Sequence, residues 1–139
     1  MTPDELAALR SQLTAHEGRR SRPYTDTVGK LTIGVGRNLT DKGLSDGEID
    51  VLLTNDIAEC ASDLALTYDW FIGMSQPRQF ALIDMRFNLG KAGLAGFQKF
   101  LHALAVKNYE EAAREMLASR WAQQVGKRTD DLAKMMRDG

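Results

Sequence analysis

A single cysteine, Cys60, in 139 residues rules out an internal disulfide and any zinc cluster built on several thiolates. Only two histidines, His16 and His102, accompany it, which is a poor donor set, so no metal or other cofactor is expected. No apolar run approaches the ~20 residues that a membrane-spanning helix needs, so stable membrane insertion is not expected. The opening MTPDELAALRSQL has no basic stretch followed by an apolar core, and a signal peptide is therefore not expected either. Low-complexity linkers and internal repeats are missing as well. Prolines number only three, and two of them, Pro3 and Pro77, stand where helices should begin.

What is present is the composition of an ordinary globular chain, 43% hydrophobic and 27% charged, of a length that fits one domain. The net charge of -1 conceals an asymmetry. Residues 1–70 carry 7 basic and 12 acidic side chains, hence -5, whereas residues 71–139 carry 11 and 7, hence +4. A basic half could meet an anionic polymer, but its cations are scattered, acidic residues such as Asp84 and Glu115 interrupt them, and a solvated surface explains them equally well. No recognition helix stands out, so nucleic acid is not an expected partner.

Helical spacing dominates the chain. Thr2-Pro3-Asp4-Glu5 reads as a capping box ahead of Leu6, Leu9 and Leu13, with Gly18 as the stop. Residues 22–36 lose that period and form two short Thr- and Gly-rich runs around a turn at Val28-Gly29, the pattern of a hairpin. Ser45-Asp46-Gly47-Glu48 is a second capping box. Behind it Ile49, Leu52, Leu53, Ile57, Cys60 and Leu64 share one stripe, which predicts a long helix over about 46–66. Ser75 and Pro77 open another helix that Gly90 should close. Four shorter helices follow, with Asn108 capping one and Thr129 opening the last. The class is α+β, mostly helical: a small N-terminal β-hairpin lobe over about 18–45, the linking helix over about 46–66, and a helical C-terminal lobe over about 67–139 to which the N-terminal helix belongs.

The stretch HEGRRSRPYTDTVGKLTIGVGRN, residues 16–38, concentrates chemistry. Glu17 follows Leu13 by four positions, so it should be drawn toward the core on the leucine face, and it ends a helix where the dipole is negative. Burial and dipole would both raise its pKa and suit it to act as a general acid. Asp26 and Thr32 lie on the two arms of the hairpin. A three-residue loop of Val28, Gly29 and Lys30 would set them opposite each other on one face, where a carboxylate and a hydroxyl can hold a water between them. An acid on one side and an activated water on the other make the apparatus of an inverting glycoside hydrolase. Spacing alone does not separate this from the commoner alternatives, a solvated acid at a helix end and a threonine chosen for β-propensity.

The pattern of Glu17, eight residues, Asp26, five residues, Thr32, with Tyr24 before the aspartate and TIGVG beginning at the threonine, resembles the catalytic signature of the T-even phage lysozymes. FNLGKAGLAGF (87–97), EEAAREMLASRW (110–121) and the closing RDG are also similar to that family, so the likeness runs over nearly the whole chain. It implies a lysozyme-like fold and a muramidase cleaving the β-1,4 bond between N-acetylmuramic acid and N-acetylglucosamine in peptidoglycan glycan strands. In it Glu17 would be the general acid, Asp26 the second carboxylate and Thr32 the water-orienting hydroxyl. Leu39, Phe87 and Asn88 would contact the glycan, Arg128 would be the basic side chain that pairs with the catalytic Glu17, and Tyr24 would stand behind the reacting groups. The resemblance also implies a monomeric endolysin of phage or prophage origin, kept in the host cytoplasm until a holin opens the membrane.

This chain departs from the T-even phage pattern at Arg37, where that pattern has a histidine, and at Phe100 and Glu115, which fall on two sugar-contacting positions that are polar there. Of the aromatic residues, Trp70, Phe71, Phe80, Phe97 and Trp121 are expected in the core and Phe87 outside it. Two other activities fit the same fold. A lytic transglycosylase needs one acid and no activated water, and a non-catalytic wall-binding module needs neither Asp26 nor Thr32.

Overall fold

The structure is a computed structural model that describes every residue from Met1 to Gly139. Two compact units make it up, Met1–Val51 and Leu52–Gly139. The first holds helix α1 (Pro3–Glu17) and a three-stranded antiparallel sheet in the order β1 (Arg20–Thr25), β2 (Leu31–Gly34), β3 (Arg37–Asn38). Helix α2 (Asp46–Thr67) begins in it and runs on into the second unit. That unit continues with α3 (Gln76–Ala95), α4 (Gln98–Ala105), α5 (Tyr109–Leu117), α6 (Arg120–Val125) and α7 (Lys127–Asp138). The α+β class read from the sequence is the one observed. No helix is long and apolar enough to cross a membrane.

Both capping boxes form. At α1, Glu5 N–H donates to Thr2 Oγ1 at 3.1 Å and Thr2 N–H to Glu5 Oε2 at 2.7 Å. At α2, Glu48 N–H donates to Ser45 Oγ at 3.2 Å and Ser45 N–H to Glu48 Oε1 at 2.9 Å. Each reciprocal pair satisfies backbone donors that a helix start leaves open. Gly18 ends α1 at φ 79°. Gly90 (φ 77°, ψ 170°) closes a helix as its sequence position suggests, with nearly the same backbone geometry as Gly18, and a second helical stretch follows it as far as Ala95, so that α3 is two helices joined at a kink.

Glu48 carries a second bond beyond its cap. Both oxygens meet Arg37, Oε1 at 2.8 Å from Nη1 and Oε2 at 2.7 Å from Nη2, and the same Nη1 donates to Gly43 O at 3.2 Å. The Arg37 guanidinium, helped by the Ser45 N–H, holds the Glu48 carboxyl at about 2, below its ordinary value of 4.5. A depressed folded-state pKa contributes stability that is full above the unfolded value and lost as the pH falls through the folded one. Wild type should therefore lose stability between about pH 4.5 and pH 2, whereas Arg37→Ala should lose less in that window. Denaturant melts across it test this. A wild-type-minus-variant difference that stays constant with pH would contradict it. Both side chains are partly exposed, so the effect should shrink at high salt.

The apolar stripes of α1 and α2 are less covered than their spacing suggests. Leu6, Leu9 and Leu13 are each exposed, and α1 buries no residue at all. On α2 only Cys60 and Leu64 are buried, while Ile49, Leu52, Leu53 and Ile57 stay open. A periodic stripe shows which face a helix offers, and its cover has to come from another element. In the first unit the only buried side chain is Thr32, so the short sheet provides no apolar layer.

The core belongs to the second unit. Leu82, Met85, Leu94, Phe100, Leu104, Met116 and Met136 are fully buried, with α5 packed on α4 and α7, and α3 on α7. Phe71 and Trp121 join this core, and Trp70 and Phe97 border it half-buried. Phe80 does not belong there. It is exposed on α3, two helical turns from the equally exposed Phe87, because nothing packs over that side of the helix.

The last helix opens at Lys127 behind Gly126, so Thr129 lies inside it instead of capping it. Its side chain is buried, and its hydroxyl finds no partner in the protein. A buried hydroxyl without a bond costs free energy that an apolar group of the same shape does not. Thr129→Val should therefore stabilise the fold by about 1 kcal/mol. A melting midpoint at or below wild type would contradict this.

Candidate active site

The three residues singled out as catalytic all lie in the first unit. Glu17 is the last residue of α1. It is exposed, contrary to the core-facing position its spacing suggests, for the reason that exposes all of α1: no apolar layer lies over its leucine face. Its side chain instead lies against the bare backbone of Gly36, in the turn between β2 and β3.

The hairpin differs from expectation in one respect. Its loop has three residues, but they are Thr27, Val28 and Gly29, flanked by Asp26 and Lys30 and not by Thr27 and Leu31. Asp26 N–H donates to Lys30 O at 2.9 Å, and Gly29 N–H, at φ 83°, closes the turn on Asp26 O at 3.1 Å. Tyr24 pairs with Thr32, and Thr25 with Leu31. The register thus differs by two residues, which leaves every side chain on the face it was expected to occupy. Asp26 stands diagonal to Thr32, not opposite it, and Tyr24 takes the opposite place.

The physical cause is the Asp26 side chain. Its Oδ1 accepts from Val28 N–H at 3.0 Å and from Lys30 N–H at 2.8 Å, winding the loop around the carboxylate. Neither bond uses Oδ2. Thr32 is buried, and its hydroxyl donates to Lys30 O at 3.0 Å, which orients its lone pairs away from that carbonyl. Tyr24 is half-buried, with the Arg20 guanidinium 4.4 Å from its ring centre. Leu39 follows β3, half-buried, with its N–H bonded to Leu31 O at 2.7 Å. Arg37 is engaged by Glu48 as described above.

The remaining candidates lie in the second unit. Phe87 and Arg128 line one groove of about 370 Å³ together with Leu53, Ile57, Phe80, Ile83 and Asp84. Arg128 is ion-paired to Asp84, with Nε 2.7 Å from Oδ1 and Nη2 also in contact with it. Asn88 is exposed, and its Oδ1 accepts from the Trp121 indole N–H at 2.6 Å, leaving the amide NH₂ as the group available to a ligand. No cluster of three or more His, Cys, Asp or Glu side chains is arranged to hold a metal ion.

The family model for phage lysozyme matches residues 14–137. This chain belongs to the phage lysozyme family. It is 32% identical to an endolysin of Salmonella phage P22 over 77% of each chain, and 26% identical to a probable T4-type lysozyme of Dictyostelium discoideum over 96% of each. It is also 25% identical to the pre-baseplate central spike protein of Enterobacteria phage T4, over 85% of this chain but only 25% of that protein. As a phage lysozyme it is a glycoside hydrolase, and the family substrate is peptidoglycan.

In this lysozyme Phe100 and Glu115 differ in exposure. Phe100 is 1% exposed and packs edge-on against Phe97, whereas Glu115 is half-buried, and both line one groove of about 620 Å³ with Ser119, Arg120 and Gln124. Two relations were not read from the sequence. Asp84 is three residues before Phe87, one turn along the same face, so its place in the groove with Phe87 was legible, whereas its pairing with Arg128 depended on how α3 meets α7. The contact of Glu17 with Gly36 had only one signal, a glycine two residues after another glycine in a turn.

Proposed function

We propose that this lysozyme hydrolyses the β-1,4 bond between N-acetylmuramic acid and N-acetylglucosamine with inversion at the anomeric carbon, as an endolysin of phage or prophage origin. Glu17 donates a proton to the leaving oxygen. Asp26 takes a proton from the attacking water, and Thr32 orients that water. The observation that carries this reading is the division of labour around Lys30. Its N–H donates to Asp26 Oδ1 and its carbonyl accepts the hydrogen bond of the Thr32 hydroxyl, so Asp26 Oδ2 and a Thr32 lone pair are the acceptors left for the two protons of one water.

Substrate contacts follow the same reading. Leu39 and Phe87 offer apolar surface to a sugar face, and the Asn88 NH₂ donates to an N-acetyl carbonyl. Tyr24 supports Thr32 from the opposite strand, and Arg128, its charge met by Asp84, helps shape the groove that Phe87 lines. The enzyme works as a monomer, without cofactor, and reaches the wall after a holin opens the membrane.

The product tests the reaction. Water attacking from the face opposite the acid makes the new reducing end appear first as the α-anomer. A transglycosylase would let the muramic acid's own 6-hydroxyl attack, giving a 1,6-anhydro end lighter by one water, and a wall-binding module would release nothing. NMR of the first turnovers and mass spectrometry of the muropeptides separate the three. Anhydro ends as the main product, or no release where a known muramidase works, would overturn the proposal.

A further inference from the structure

Besides Gly18, which ends α1, three glycines in the catalytic stretch have φ in the left-handed region: Gly29 at 83°, Gly34 at 69° and Gly36 at 66°. Backbone freedom explains all three equally well, but their surroundings differ. A β-carbon built on Gly29 or Gly34 meets nothing within 4 Å. One built on Gly36 would stand 2.8 Å from Glu17 Oε2, 3.1 Å from Cδ and 3.2 Å from Cγ. Every one of these atoms belongs to the side chain proposed as the general acid.

We propose that Gly36 is a positioning residue for the reaction: its bare α-carbon is the wall that sets where the Glu17 carboxyl stands. The inference rests on the reading of Glu17 as the acid. Glu17 is exposed at a helix end, so little else confines its side chain, which can turn about its own torsions. A methyl group at position 36 would therefore not be resisted by a packed core. It would move the carboxyl, since 2.8 Å is closer than a β-carbon and an oxygen approach in folded proteins. General-acid transfer needs the donor within about 2.6–3.2 Å of the leaving oxygen. A displacement of about 1 Å costs about 10²-fold in rate.

Gly34 supplies the control. It lies in the same turn, two residues away, with almost the same φ, so alanine there carries the same left-handed strain without touching Glu17. Gly36→Ala, Gly34→Ala and Glu17→Gln are compared with wild type for melting midpoint and for kcat and KM on a soluble peptidoglycan oligosaccharide. The expected result is a fall in kcat of about 10²-fold for Gly36→Ala relative to Gly34→Ala, with KM unchanged and the two melting midpoints alike. Because the acid is displaced and not removed, Gly36→Ala should keep more turnover than Glu17→Gln. Equal kcat values for the two alanine variants, whether both are high or both low, would overturn the proposal, since strain in the turn would then account for everything. If Glu17→Gln turns over like wild type, the reading of the acid fails and the proposal fails with it. If Glu17→Gln is inactive while the alanine variants match, only the role of Gly36 is lost.

Discussion

Glu17→Gln should lower kcat by about 10²- to 10⁴-fold, the range that a positioned general acid contributes, while leaving KM and the melting midpoint near wild type. The amide has the shape of the carboxyl but no transferable proton at neutral pH. Glu17 is exposed, so folding does not depend on its burial. Loss of kcat and of kcat/KM in equal measure is the signature of an interaction made only in the transition state. Asp26→Asn makes a clean companion, because the asparagine oxygen can still accept the Val28 and Lys30 N–H bonds that shape the loop, so a loss there reports on water activation and not on the turn. A well-folded Glu17→Gln protein that lyses walls at a near-normal rate would remove Glu17 from the mechanism.

Phe100→Ala should produce the largest loss of stability, about 3–5 kcal/mol. Its ring is fully buried and meets Phe97 edge-on with centroids 6.3 Å apart, and Phe97 meets Trp121 in the same way at 6.3 Å. Truncation removes the transfer free energy of the ring and leaves a cavity that this aromatic row cannot close without shifting. Domains are stable by only about 5–15 kcal/mol, so much of the margin would go. Chemical denaturation measures it. A loss below about 1 kcal/mol would mean that the side chain is not packed as a core residue.

These two residues also mark how far the sequence could be read. Local signals carried through: both capping boxes, the glycine that stops α1, the cap at Asn108 and the bounds of α2 are set by residues within a few positions of one another. The hairpin register was two residues out although the loop length was right, because the Asp26 carboxylate binds the N–H groups of residues 28 and 30 and so chooses which three residues form the loop. An aspartate three residues before a glycine carried that information. What could not be read was cover. The stripe on α1 and the aromatic residues of α3 look alike in sequence whether or not another element lies over them, which is why Glu17 and Phe80 were expected inside and are found outside. Asp84 became the partner of Arg128 only through the packing of α3 on α7.

The close spacing of Glu17, Asp26, Thr32 and Gly36, which fall within twenty consecutive residues of one unit, bears on how the molecule acquires its site. The contacts that shape it are short in sequence: Asp26 to Lys30, Tyr24 to Thr32, Glu17 to Gly36. Short loops cost little closure entropy, and hairpins form in about 1–10 μs. The core of the second unit must instead join side chains from Leu64 to Met136. The hairpin that carries Asp26 and Thr32 should therefore be able to form early in folding, and the helical unit should set the time at which the protein is complete.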